Sequence, residues 1–209
     1  MTDYTSIANE TLNLAKELRE MADGWTTLKD AEGVLLEARP REGSYINCYR
    51  ASGKVARSPK EAAEQFWNWG KEEWQKLSAD VQEYEVKVPD LEGNPDMKIV
   101  YQRAALPWPL WHRDVCLLMW ITQDEAEGSH AVMVKSVTHE QVPEQPSSYV
   151  RATVLLGGYI FLPVEGDSSS SRVVRLVHIE PNGSIPSTIV NMKATELHQQ
   201  MLSFQAMFC

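Results

Sequence analysis

The sequence predicts an α+β fold in which an antiparallel sheet of about nine strands carries several helices and ends in one long C-terminal helix. Three observations point there. Nine short runs between residues 25 and 179 alternate or stay apolar between turn signals, the spacing of strands joined by short connections. Ser58-Pro59-Lys60-Glu61 sits between the third and fourth runs and combines a capping serine, a first-turn proline and a glutamate three residues after the cap. From residue 184 onward, Val190, Ala194, Leu197, Met201, Phe204 and Phe208 step by four, three, four, three and four residues, an apolar stripe along one helix face.

Taken in order, Ile7, Leu12, Leu14, Ala15 and Leu18 give an amphipathic helix that Gly24 closes. Runs at 25–29, 33–39 and 44–57, broken by glycine turns, make a three-stranded meander. The capping box predicts a helix over 59–69, and after Gly70 the segment 71–77 carries Trp74 and Leu77 as a second short helix; both should pack on the outside of the sheet. Six further strands follow at 83–88, 97–105, 115–121, 131–138, 149–163 and 172–179. The serine-rich piece 166–171 lies between the last two and reads as a hairpin tip. Gly157-Gly158 reads as a bend where curvature or a close neighbour excludes side chains, not as a phosphate cradle.

A length of 209 residues suits one domain spanning 1–209, and no linker interrupts it. The 29 acidic and 20 basic side chains give a net charge of -9, which repels a phosphate backbone and argues against nucleic acid. Cys48, Cys116 and Cys209 lack metal-site or disulfide spacing and read as reduced thiols of a cytoplasmic protein. The first eighteen residues mix charges with apolar groups, unlike a signal peptide. His139, His178 and His198 are too isolated for a metal site and read as surface or partly buried residues, so neither metal nor cofactor is expected. His112-Arg113-Asp114 copies a kinase triplet without its companion motifs; Arg113 and Asp114 read instead as a structural ion pair.

Several segments occur together in a familiar order. They are Trp25; Tyr49-Arg50; the Ser58-Pro59 helix start with Trp74; Leu106-Pro107-Trp108-Pro109-Leu110 leading to Arg113-Asp114; His139 through Val150-Arg151; and Glu180-Pro181-Asn182-Gly183-Ser184-Ile185-Pro186 before the last helix. This set resembles the START lipid-transfer domains over roughly residues 20–208. The resemblance implies a helix-grip fold, a curved antiparallel sheet around the C-terminal helix with an internal cavity for one lipid, commonly a sterol, phospholipid or ceramide. It also implies a gate formed by the last helix and the loop 139–148, with His139, Val142 and Pro143 in that loop. The chain departs from the family pattern at Ser184, where a tryptophan is frequent, and at Glu180, where an aspartate is frequent; both weaken any transfer of a relative's ligand.

Alternation from the Arg113-Asp114 anchor sends Tyr101 and Arg103 inward with Leu117 and Met119, facing Val190, Ala194, Leu197 and Met201 of the last helix. Family members often carry an acid where Arg103 stands and a basic partner at Met119. An unpaired Arg103 in an apolar chamber would favour a phosphate or carboxylate headgroup. A one-residue register error would instead leave it in solvent or beside a nearby acid. Trp108, Leu110 and Trp111 form either a membrane-touching knob or a cap on the sheet edge. Met192, Met201 and Met207 suit core packing and also a wall that adapts to a lipid.

The function expected is non-enzymatic binding of one lipid, with transfer between membranes or sensing, transient membrane contact and no indication of protein partners. The alternative is a cyclase- or hydrolase-like enzyme of the same superfamily, for which Tyr101, Arg103 and His178 are the available acid-base groups.

Overall fold

The structure, a computed structural model, describes residues 2–209 apart from the side chains at 187, 188, 191 and 192. Asp3 caps the first helix, α1 (Tyr4–Glu20), by accepting from the Ser6 amide at 2.9 Å. Its buried Tyr4, Ala8, Thr11, Ala15 and Leu18 form one stripe. Strands β1 (Thr26–Ala31), β2 (Val34–Arg39) and β3 (Cys48–Val55) are the expected meander. Helices α2 (Pro59–Trp67) and α3 (Lys71–Leu77) follow. The Ser58–Glu61 capping box closes both ways at the start of α2, which ends two residues before the expected limit.

Strands β4 (Val81–Val88), β5 (Met97–Ala104), β6 (Arg113–Asp124), β7 (Ser129–Ser136), β8 (Val150–Arg151), β9 (Thr153–Val164) and β10 (Asp167–Glu180) complete the sheet, and α4 (Ser187–Ala206) is the long final helix. Nine strands run antiparallel in the order β1-β2-β3-β10-β9-β7-β6-β5-β4. The run expected over 149–163 is divided, because β8 leaves the main path to pair parallel with β6. The serines expected at a hairpin tip belong to β10: the turn is made by residues 165–166, and Asp167 accepts from the Ser169 and Ser170 hydroxyls at 2.7 and 2.5 Å.

The two faces of the sheet carry separate cores. On one face α1 packs with Ile99, Tyr101, Leu118, Trp120 and Met133. The other holds α2, α3 and α4 together, with Phe66, Trp69, Tyr159, Phe161 and Phe204 in one cluster. The expectation that α2 and α3 lie outside the sheet is therefore corrected. Topology gives the reason: β3 and β4 are consecutive in sequence but separated by five strands, so the chain between them must cross a sheet face, and its buried Ala62, Ala63 and Phe66 hold it against the inner one.

A close neighbour excludes side chains at Gly157-Gly158, one of the two reasons the sequence offered for these glycines. A Cβ on Gly157 would lie 2.7 Å from Val134 Cγ2, and one on Gly158, at φ +149°, would lie 2.5 Å from Met133 Sδ. Only glycine lets β9 approach β7 so closely.

Candidate ligand cavity

Between the inner sheet face and the first half of α4 lies a cavity of about 370 Å³. Val100, Gln102 and Ala104 of β5, Leu117 and Met119 of β6 and Val132 and Val134 of β7 form one wall. Ile189, Val190, Ala194 and Leu197 of α4 face them, and Trp74, Leu77 and Tyr84 close a side. Where the cavity stops, aromatic rings take over: Tyr159 stacks on Phe204 at 4.2 Å between centroids, and Phe66 meets Trp69 at 4.8 Å edge to face.

Of the expected site residues, Leu117, Met119, Val190, Ala194 and Leu197 border this space. Met201 does not; it is fully buried in the packed region beyond. The side chain of Met192 lies outside the described residues, and Met207 is partly buried against the same core.

Tyr101 and Arg103 are corrections. Directly opposite residues in an antiparallel pair share a face, and β5 sets Tyr101 against Cys116 and Arg103 against Asp114, while Val100 opposes Leu117. The even positions of β5 thus face the cavity, one residue off the expected alternation. Tyr101 packs in the α1-side core, and Arg103 pairs with Glu83 at 3.1 Å and donates to the Tyr149 hydroxyl at 3.0 Å. The head-group alternative for Arg103 falls with this placement, and the other alternative holds, a one-residue register shift that leaves it beside a nearby acid.

The loop 139–148 is placed differently as well. Val142 is buried in the α1-side core, the His139 ring lies 6.5 Å from that of Tyr4, and Arg151 donates to the Pro143 carbonyl at 3.3 Å. None of these residues borders the cavity, because the loop folds onto the opposite sheet face. The cavity mouth is instead framed by Ala105 and Leu106 after β5, by Pro181 and Ile185 before α4, and by the first turns of α4. Lys193 of α4 forms an ion pair with Asp80 across this mouth.

The anchor residues make fixed contacts. Arg113 and Asp114 do not pair with each other, since neighbours on a strand point to opposite faces. Asp114 takes both arms of Arg151 at 2.9 Å each, while Arg113 donates to the Pro181, Trp111 and Asn182 carbonyls. Arg50 gathers the carbonyls of Leu18, Arg19 and Met21 at the end of α1 beneath the Trp25 ring, 4.4 Å from its centroid.

The chain matches the family model described as START domain over residues 7–205. It belongs to the START domain family. Among curated proteins it is 25% identical over 187 residues to an uncharacterized protein of Pseudomonas aeruginosa, covering 82% of this chain and 79% of that one. It is also 21% identical over 189 residues to StAR-related lipid transfer protein 6 of Homo sapiens, covering 90% and 83%. The solved structure of human StAR-related lipid transfer protein 5 superposes with a TM-score of 0.84 at 18% identity, covering 98% of this chain and 96% of that one, which shows the shared fold.

Within this START domain, the motif residues that carried the resemblance mostly pin loops and helix ends, with Trp74, Leu106, Pro181 and Ile185 also at the edge of the cavity, whereas the strand wall is built from residues no motif singled out. Sequence reading missed Gln102, Tyr84, Tyr159, Arg175 and Gln200, all on the cavity. Burial pushes the Tyr84 hydroxyl up to about 12, and it donates to Met119 Sδ at 3.7 Å. The Tyr159 hydroxyl is buried without a hydrogen-bond partner among the described residues. Arg175 had a readable signal, a charge in phase with Val173, Val177 and Ile179 on a strand face that is otherwise apolar over that stretch.

The acid-base groups nominated for an enzyme do not meet. Tyr101 and Arg103 face the other side, and His178 is buried against the Ser44 hydroxyl at 3.1 Å, off the cavity. His198 is likewise fully buried, bonded to the Ala31 carbonyl, rather than at the surface. Among the described residues, no helix is long and apolar enough to cross a membrane.

Proposed function

We propose that this START domain, acting as one unit over its length, binds a single hydrophobic molecule in the cavity under α4 and carries it between membranes without covalent chemistry. The observation that supports this most is the cavity itself, walled mainly by hydrocarbon on rigid strands and closed by a helix. Burial at roughly 25 cal/mol per Å² of apolar surface supplies the affinity. Its relatives named as lipid transfer proteins support the same class of ligand.

Exchange would proceed by opening the first turns of α4 away from Ala105 and Leu106, with the Lys193–Asp80 pair as the latch. Membrane contact falls on the loops around that mouth. Trp108, Trp111 and Tyr45 are exposed there, each two positions or fewer from a residue bordering the cavity. Tryptophan and tyrosine favour the boundary between lipid and water, which suits brief docking despite the negative net charge.

Native mass spectrometry after incubation with vesicles containing sterol, phospholipid and fatty acid tests the binding: one lipid per chain is the expected result, and a chain that takes up nothing from any of them overturns the reading. Transfer of a fluorescent lipid between two vesicle populations separates carrier from sensor. Replacing Trp108 and Trp111 by alanine should slow that transfer while leaving the bound stoichiometry at one.

A further inference from the structure

We propose that Arg175, Gln200 and Tyr159 form a head-group site inside the cavity for a carboxylate or phosphate at the end of a hydrophobic chain. The proposal rests on the lipid-binding reading above and narrows its ligand to amphiphiles with an anionic head.

Three cationic side chains border the cavity among the described residues: Arg113, Arg175 and Lys193. Arg113 already serves three backbone carbonyls. Lys193 is held by Asp80 and by Glu196. Arg175 differs. Its position in β10 is inward, opposite Ala51 of β3 and Tyr159 of β9, and its Nη1 donates to Gln200 Oε1 of α4 at 2.8 Å. Its guanidinium carbon lies 5.4 Å from the centre of the Tyr159 ring. Among the described residues it has no carboxylate partner, and most of the five N–H donors of the guanidinium remain unassigned.

The groups around it are donors too. Gln200 spends its carbonyl on Arg175, which leaves its amide N–H groups to give. The Tyr159 hydroxyl is buried and, among the described residues, has no hydrogen-bond partner. Asp80, the one carboxylate bordering the cavity among the described residues, is engaged by Lys193 at the mouth. A half-buried cation and two further donors, with no fixed acceptor among them, are complementary to a group that presents two or more lone pairs and a negative charge. A hydroxyl or ester head would engage one donor and leave the charge of Arg175 uncompensated in an apolar wall. The net charge of -9 opposes such a ligand only weakly, because at physiological salt the field of each surface charge decays over roughly 8 Å.

A single alkyl chain is the simplest tail that isolates the contribution of the head group. The test therefore uses three probes that share one alkyl chain: hexadecanoate, hexadecyl phosphate and the neutral hexadecanol, with binding measured by calorimetry and native mass spectrometry. The expected result is that the wild type binds both anions at least about tenfold more tightly than the alcohol, in line with a charge-assisted hydrogen bond. In Arg175→Met that ratio should fall to about one. Gln200→Glu, which supplies an internal counter-charge while keeping the arginine, should reduce the ratio as well and reads the same point if Arg175→Met does not fold.

Equal affinity for anions and alcohol in the wild type, or a ratio unchanged in Gln200→Glu, overturns this inference and leaves the lipid-binding reading standing. Failure of all three probes and of the vesicle lipids to bind overturns both. Saturable binding of inorganic phosphate alone, without preference for the alkyl phosphate, would show that the site takes a free ion and would overturn the assignment to a lipid head.

Discussion

Toward its C-terminus α4 presses Met201 and Phe204, with Phe208 just beyond its end, into a solid cluster with Phe66, Trp69, Tyr159 and Phe161, whereas up to four turns earlier the same face presents Val190, Ala194 and Leu197 to open space. Both regions belong to one helix and one apolar stripe. They differ in what comes to meet them. At the packed end α2 crosses the sheet and brings in Phe66, with Trp69 just beyond it; Gln205 donates to the Lys54 carbonyl, and Gln65 of α2 donates to the Met207 carbonyl at the helix end. At the hollow end the facing residues are mostly valines, leucines, alanines and glycines, too short to span the gap. An apolar pattern thus marks which face turns inward, while side-chain volume decides whether the inside is filled.

Cutting into the packed end should have the largest consequence. Phe204→Ala is expected to lower unfolding stability by about 3–5 kcal/mol in chemical denaturation, the usual cost of removing a buried phenyl ring. A loss below about 1 kcal/mol would mean that this region is not the anchor of the helix.

Lys98 probes the sealed flank of the sheet. Its ammonium is buried under Trp67, donating to the Trp67 carbonyl at 2.7 Å with the ring centroid at 3.8 Å, and burial lowers its pKa to about 8. Between about pH 8 and the unfolded value near 10.5, the unfolded chain holds a proton that the folded chain has released, so the wild type gains stability as pH rises. Relative to Lys98→Met, the gain across that window should reach on the order of 1–3 kcal/mol at about 1.4 kcal/mol per pH unit. A difference that is flat with pH would place this ammonium in water.

Filling the hollow end should do less to stability and more to ligand. Ala194→Phe projects a ring into the cavity and is expected to change unfolding stability by no more than about 1.5 kcal/mol. Bound lipid per chain should fall well below one by native mass spectrometry. Undiminished binding would show that the ligand lies elsewhere.

The smallest effect is expected at Arg103. Its pair with the partly exposed Glu83 lies off the cavity, so Arg103→Ala should cost about 0.2–1 kcal/mol and leave lipid uptake unaltered. A tenfold weaker uptake would return this residue to the ligand and undo the contrast with Arg175.

The amino-acid sequence by itself determined the element order, the capping box before α2, the glycine pair at 157–158 and the inward stripe of α4, since each depends on near neighbours along the chain. It also carried the family, because the anchoring residues recur in order. Tertiary structure decided the rest. The phase of β5 depends on which residue of β6 stands opposite, and a shift of one position exchanged Tyr101 and Arg103 for Val100 and Gln102. Which sheet face receives the loop 139–148, and which cation has no carboxylate partner among the described residues, depend on groups brought together from distant parts of the chain. That is why Arg113, tied to the turn at residues 181–182, is spent on structure, while Arg175, beside Gln200 and Tyr159, keeps donors to offer.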